Sequence, residues 1–145
     1  QTRQGLYGTV RMQRRKHLMT GARSAERGHG RLRIANLSDE IAYNSHDVDD
    51  GIRAGLITID ELREVAIFRR QYDLVTARYP GLGSRRLVHE VVRRMIDFLV
   101  NDLIASSESA IARAAPADVE AVRSRPEPLL AFGDEVRAEH ADAFR

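Results

Sequence analysis

Apolar residues recur at helical spacing along most of the chain after residue 33. The longest stripe keeps steps of three and four residues over about five turns, which is the period of an amphipathic helix. Its members are Leu87, Val88, Val91, Val92, Met95, Ile96, Leu99, Leu103 and Ile104. An earlier stripe consists of Ile34, Leu37, Ile41, Val48 and Ile52. This pattern predicts an all-α helical bundle from residue 34 onward.

Helix-breaking and helix-capping residues indicate where the helices should begin and end. Gly51 and Gly55 weaken and end the first helix. Thr58 and Glu61 form a capping box, which opens a helix expected to run to about Arg78. Its apolar face would consist of Leu62, Val65, Ala66, Phe68, Tyr72 and Val75.

Ser84 is the expected N-cap of the longest helix, which should continue to about Ala114. We expect its first half to be core, and leave its more polar second half open between core and subunit interface. A short helix should begin around Pro116, and Phe132 should pack back onto the body. Residues 133–145 are weakly helical.

Three polar residues would line one face of the first helix. Asp39, Tyr43 and Asp47, here called the Asp39 row, stand four residues apart. Two carboxylates and an aromatic hydroxyl in one row could hold a metal and a sugar together. The alternative is a solvated acidic face with one amphipathic tyrosine.

The Asp39 row lies in a dense motif, Ser38-Asp39-Glu40-Ile41-Ala42-Tyr43-Asn44-Ser45-His46-Asp47-Val48-Asp49-Asp50-Gly51. The motif resembles one in the deoxyguanosine triphosphate triphosphohydrolase-like family of HD-domain phosphohydrolases. The resemblance continues through residues 52–58, 61–62, 86–96, 99–104 and 128–132, and covers roughly residues 34–137. It implies the helical C-terminal portion of a family member.

The resemblance also implies roles for the row. Asp39 would be one of four ligands of a divalent Mn, Mg or Fe ion, together with an upstream His and a His-Asp pair. Tyr43 would pack against a deoxyribose, and Asp47 would accept a hydrogen bond from its 3′-hydroxyl. The implied reaction cleaves a deoxynucleoside triphosphate into deoxynucleoside and tripolyphosphate. Family members also form homo-oligomers.

The chain departs from that pattern upstream of Asp39. The histidines there are His17 and His29, and neither is followed by Asp. His46-Asp47 lies eight residues beyond the Asp39 position, so it is not interpreted as the metal pair. We therefore expect no catalytic residue set, no tight metal binding and no activity in this chain alone, and a truncated helical domain over residues 34–145.

Charge is distributed unevenly along the 145 residues. Residues 1–33 carry nine basic side chains and one acidic one, a net charge of +8, whereas the remainder has a net charge of −6. This basic arm could bind nucleic acid. Its weak periodicity also fits a disordered tail or the product of a shifted reading frame.

The remaining composition narrows the class of protein. There is no cysteine, no apolar run long enough for a membrane span and no leading hydrophobic segment, so a cytoplasmic protein is expected. Arg85-Arg86 and Arg93-Arg94 could face phosphates, although surface charge is the commoner role for such pairs. The alternatives to the enzyme fragment are a non-catalytic helical interaction or oligomerisation module and a nucleic-acid binder acting through residues 1–33.

Overall fold

The computed structural model describes residues 30–143, with the side chains of residues 33–139. Within these residues it has six helices and no strand, so the all-α prediction is confirmed. The helices are α1 Gly30–Arg53, α2 Ile59–Leu62, α3 Ala66–Arg78, α4 Ser84–Ala114, α5 Val119–Arg123 and α6 Asp134–Ala143. α1 begins before the predicted start of the helical domain; residues 1–29 of the predicted arm lie outside the described residues.

One hydrophobic core in the compact unit Leu37–Arg145 takes buried side chains from each described helix except α5. Its buried members are Ile41, Leu62, Ile67, Phe68, Val75, Leu87, Val91, Met95, Leu99, Phe132 and Val136. α3 and α4 form the main helix–helix contact of the described residues. Phe68 and Val91 are among the largest fully buried side chains. Burial of each such side chain stabilises the fold by about 1.5–3 kcal/mol before entropy is counted.

The end of α1 confirms the role predicted for Gly55. Its φ is 65°, in the left-handed region that glycine adopts without steric cost. The amide of Leu56 donates to the carbonyl of Gly51 at 2.9 Å, and that of Gly55 donates to Ile52 at 3.1 Å. This pair of bonds is a Schellman motif, which satisfies carbonyls left free at the helix end.

The capping box is present, but the helix that it opens is short. The side chain of Thr58 accepts from the amide of Glu61, whose carboxylate accepts from the amide of Thr58 at 2.8 Å. α2 then ends at Leu62, and Val65 is extended before α3 begins. The prediction of one continuous helix to Arg78 was therefore wrong.

Burial explains why the chain breaks between α2 and α3. Leu62, Ile67 and Phe68 are all buried. In one continuous helix, Ile67 and Phe68 would each lie more than about 100° around the axis from Leu62, on opposite sides of it. The extended residue between the helices lets all three side chains enter one core. Gln71, which the apolar pattern did not mark, is also buried.

α4 has nearly the predicted bounds but a different cap. The N-cap is Gly83, without a side-chain hydrogen bond, and Ser84 is the first helical residue. The predicted stripe is buried at Leu87, Val88, Val91, Met95 and Leu99 and more exposed afterwards. Ile96, Val100, Ile104 and Ile111 are 37–51% exposed. The expectation of a core first half is confirmed.

The last two helices follow a linker. α5 begins at Val119, after the N-cap Asp118, whose carboxylate accepts from the amide of Ala121 at 2.8 Å, so the start expected around Pro116 was early. Phe132 is buried, as predicted, and Val136 of α6 enters the same core.

Polar contacts also hold α6 in place. Arg70 of α3 pairs with Glu135 at 2.7 Å and with Glu139 at 2.6 Å. The guanidinium of Arg70 also lies 5.2 Å from the ring centroid of Phe98, within the range of a cation–π contact. Among residues 30–143, no helix has the length and apolar character needed to cross a bilayer.

Candidate functional site

The Asp39 row lies on α1, on the side away from the core. Residues four apart on a helix are offset by only about 40°, so Asp39, Tyr43 and Asp47 share a face. Ile41 and Ser45 lie on the opposite side of α1 and are 4% exposed. The hydroxyl of Ser45 donates to the carbonyl of Ile41 at 2.7 Å, which satisfies this buried polar group.

The row is open to solvent over most of its length. Asp39 is exposed, Tyr43 is 64% exposed and Asp47 is half-buried. An aromatic side chain as large as tyrosine is commonly half-buried or more. The exposure of Tyr43 therefore leaves a flat, amphipathic surface on the same face as two carboxylates.

A complete metal site is not formed by the described side chains. Within residues 33–139, no group of three or more His, Cys, Asp or Glu side chains is arranged to hold a metal ion. Asp39 offers one carboxylate, and a divalent ion needs several ligands to compete with water. The residues present do not fit the implied metal by themselves, and the assignment of Asp39 as a ligand stays a prediction.

A second polar site lies beside the connection between α3 and α4. It is an open cavity of ≈ 580 Å³, here called the basic cavity, with Arg53 of α1 and Arg85 and Arg86 of α4 in its wall. His89 and Tyr79 also line it. The sequence had suggested that Arg85 and Arg86 could face phosphates. It gave no signal for Arg53, since helical periodicity does not show which distant residues meet.

Both carboxylates in the wall of the basic cavity are already paired. Asp49 lies 3.2 Å from Arg53, four residues further along α1. Glu90 lies 2.9 Å from Arg93 and 3.4 Å from Arg94. The hydrogen bond from Arg93 is the main reason that the pKa of Glu90 is held below its usual value, and the charge of Arg94 acts in the same direction.

The comparison with known proteins agrees with the resemblance predicted from the sequence. The chain is 47% identical over 106 residues to a deoxyguanosinetriphosphate triphosphohydrolase-like protein of Ralstonia nicotianae, covering 73% of this chain and 27% of that protein. It is 53% identical over 106 residues to the protein of that name from Bordetella pertussis, with the same coverage. The Nitrosomonas europaea protein of that name is 46% identical over 112 residues, 77% of this chain and 30% of the relative. No protein-family model matches the chain.

These identities establish the family of the matched segment. An all-α segment with 46–53% identity to several proteins of one name shares their ancestry and fold. The matched part of this chain belongs to the deoxyguanosinetriphosphate triphosphohydrolase-like family. The chain spans little more than a quarter of the length of these relatives, at 27–30%.

Proposed function

We propose that the chain is the C-terminal part of a metal-dependent deoxynucleoside triphosphate triphosphohydrolase. The observation that carries the proposal is the coincidence of two features. The matched relatives are named deoxyguanosinetriphosphate triphosphohydrolase-like, and the Asp39 row, which belongs to the sequence motif that resembles this family, lies on the solvent side of α1. In the complete enzyme the reaction would release tripolyphosphate and a deoxynucleoside.

Each member of the row has a proposed role. Asp39 would give its carboxylate to a divalent Mn, Mg or Fe ion, since these ions accept oxygen ligands. Tyr43 would present its exposed ring to the deoxyribose, so that a 2′-hydroxyl is disfavoured. Asp47, half-buried at the far end of the row, would accept a hydrogen bond from the 3′-hydroxyl.

The other three metal ligands would come from a preceding segment or from another chain. A carboxylate that is exposed on a helix, as Asp39 is, can be covered by such a segment without disturbing the core. The chain alone would then be inactive. A cytoplasmic location and assembly into a homo-oligomer are further parts of this proposal.

The test begins with the coding DNA upstream of Gln1. We expect a His codon and a His-Asp pair in the same reading frame. The protein expressed from that longer frame should hydrolyse dGTP with Mn, and Asp39→Ala should abolish this activity. Asp47→Ala should mainly raise KM, because it removes a contact to bound nucleotide.

Two results would contradict the assigned roles. A fully active Asp39→Ala enzyme would show that Asp39 is not a metal ligand. Equal hydrolysis of GTP and dGTP by the unsubstituted enzyme would remove the role given to Tyr43. Upstream motifs in a different frame would instead mark residues 1–33 as a frameshift product and the chain as inactive.

A second candidate is a helical interaction or oligomerisation module, favoured by one feature of α4. Ile96, Val100, Ile104 and Ile111 recur at steps of four, four and seven residues and are 37–51% exposed. Exposed apolar rows of this kind are typical of interfaces. Sedimentation equilibrium of the chain and of Val100→Glu tests it: an oligomer that dissociates on this substitution supports the module, and a monomeric parent chain excludes self-association.

Nucleic-acid binding through residues 1–33 remains a prediction, because most of that segment, residues 1–29, lies outside the described residues.

A further inference from the structure

We propose that the basic cavity binds a phosphate-bearing anion, at a site separate from the Asp39 row. The cavity has a volume of ≈ 580 Å³ and is widely open to solvent. Pockets that bind small molecules in proteins typically measure about 300–1,000 Å³. The basic cavity is therefore large enough for an inorganic oligophosphate or a nucleoside triphosphate.

The charge of the cavity wall selects an anion. Arg53, Arg85 and Arg86 contribute three positive charges, against the carboxylates of Asp49 and Glu90. Asp49 is paired with Arg53, and Glu90 is paired with arginines further along α4. The cavity lining therefore has no unpaired carboxylate to neutralise Arg85 and Arg86.

Arg85 and Arg86 are thus available to a ligand. Both are exposed, and within residues 33–139 neither forms an ion pair. The guanidinium group is planar and presents paired N–H donors that match two oxygens of one phosphate. Two adjacent arginines can therefore bind successive phosphates of a chain, which a single ammonium group cannot do with the same geometry.

The arginines project from a fixed part of the fold. Leu87 and Val88, the next two residues of α4, are buried. The amide of Leu87 donates to the carbonyl of Gly83 at 3.0 Å, and the amide of Leu82 donates to that of Tyr79 at 3.3 Å. The backbone beneath the two side chains is therefore held by packing on one side and by the turn on the other, which lowers the entropy lost on binding.

The rim of the cavity offers a surface for an organic group. Tyr79 is 42% exposed, and Leu82 is half-buried beside it. Arg78 lies 5.6 Å from the centroid of the Tyr79 ring, which helps to orient that ring. A nucleobase could stack there, whereas an inorganic oligophosphate would use the arginines alone.

The basic cavity lies at the other end of α1 from Asp39, because Arg53 in its wall is fourteen residues further along, about 21 Å along the helix axis. Asp49, which lines the cavity, lies about 160° around the helix axis from Asp47, the nearest member of the row. One phosphate group could not contact both. The site accordingly does not depend on the proposed catalytic function, and its test can be made on this chain alone.

The experiment titrates the full chain with sodium tripolyphosphate at low salt. Isothermal titration calorimetry gives the affinity, and amide chemical shifts locate the ligand. We expect a saturable site whose shifts cluster at Arg53, Arg85 and Arg86. The double variant Arg85→Ala/Arg86→Ala should weaken binding at this site by at least about tenfold, since two charge-assisted contacts are lost.

A charge-matched control separates this site from general attraction to a basic chain. Arg69→Ala/Arg125→Ala removes the same charge from two exposed positions outside the basic cavity. This variant should keep the affinity. Equal weakening in both double variants, or shifts that are unsaturable and spread along the chain, would overturn the proposal.

A second titration, with dGTP, identifies the ligand source. If dGTP binds more tightly than tripolyphosphate and Tyr79→Ala removes the difference, the ligand is a nucleotide. If both ligands bind equally and Tyr79→Ala has no effect, the ligand is an inorganic oligophosphate. If neither ligand causes saturable shifts at Arg85 and Arg86, the basic cavity is not an anion site.

Discussion

The inner and outer faces of α1 use their side chains for different purposes. Ile41 on the inner face is 4% exposed and belongs to the core around Phe68, whereas Tyr43 on the outer face is 64% exposed. We expect the inner face to contribute stability through burial, and the Asp39 row to contribute little. Residues that a fold does not need, yet that form a regular polar row, are candidates for a role in binding. The contrast can be tested by substitutions on each side.

The largest effect is expected in the core, for Phe68→Ala. Phe68 is 1% exposed and stacks on Tyr72 with ring centroids 6.1 Å apart. Truncation leaves a cavity, and we expect a loss of about 3–5 kcal/mol in the free energy of unfolding, measured by urea denaturation. Phe68→Leu, which keeps much of the volume, should cost clearly less. A loss below about 1 kcal/mol would show that this core is not well packed.

Gly133→Ala should come next, because its methyl group would displace two side chains, one of which accepts a hydrogen bond from the Gly133 amide. A Cβ at Gly133 would lie 2.8 Å from Oδ1 of Asp102 and 2.9 Å from Oγ of Ser106. We expect a loss of about 1–3 kcal/mol by the same measurement, as for other overpacked sites.

Gly83→Ala is the matched control for that substitution. A Cβ at Gly83 would meet nothing within 4 Å, and its φ of −61° suits alanine. Its stability should change by less than about 1 kcal/mol. Equal losses at the two glycines would argue against the contact between α4 and the start of α6.

A smaller effect is expected at the capping box of α2. Thr58→Ala removes the acceptor of the Glu61 amide, which lies 3.2 Å from Oγ1 of Thr58. We expect a loss of about 1 kcal/mol, typical of an N-cap. Thr58→Ser keeps the hydroxyl and should retain most of the stability. Equal stability of the alanine and serine variants would show that the cap is energetically neutral.

On the outer face, Asp39→Ala should leave the free energy of unfolding unchanged within about 0.5 kcal/mol. The side chain is exposed, and the core lies on the other side of α1. Urea denaturation of this variant beside Phe68→Ala tests the contrast directly. A loss above about 1 kcal/mol would mean that the Asp39 row is structural.

The smallest effect on stability is expected from the ion pair of Glu90, and it is followed through the pKa of that carboxylate. Because Arg93 donates to it, this carboxylate is expected to titrate below its usual value. Its contribution to stability is then present above the pKa of the unfolded chain and is lost as the pH falls through the lowered folded value. In NMR titrations, Arg93→Ala should raise the pKa of Glu90, whereas Arg69→Ala should not. An unchanged pKa in both would assign the shift to Arg94.

The sequence predicted most of the helices, since local patterns determine them. Residues close in the chain determine three of these features: the period of the α4 stripe, the Thr58 capping box and the left-handed backbone conformation of Gly55. The break after Leu62 could not be foreseen in this way. It depends on Leu62 and Phe68 sharing one core, which is a property of the tertiary fold.

The same limit applies to the sites. The shared face of the Asp39 row follows from its spacing alone, whereas the exposure of Tyr43 required the packed structure. Arg85 and Arg86 were recognisable as a basic pair, but their meeting with Arg53 joins two distant helices. Likewise, nothing in the local pattern marked Arg70 as the partner of Glu135 and Glu139.

One carboxylate changes how loss-of-activity variants of this family should be judged. Asp102 belongs to a stretch that resembles the family, yet its Oδ2 accepts the backbone amide of Gly133 at 2.8 Å. It therefore anchors the chain just before α6, at a distance from the Asp39 row in sequence. In the proposed enzyme, loss of activity on substitution of Asp102 would report a detached α6, so a screen that scores activity alone would mistake a structural residue for a catalytic one.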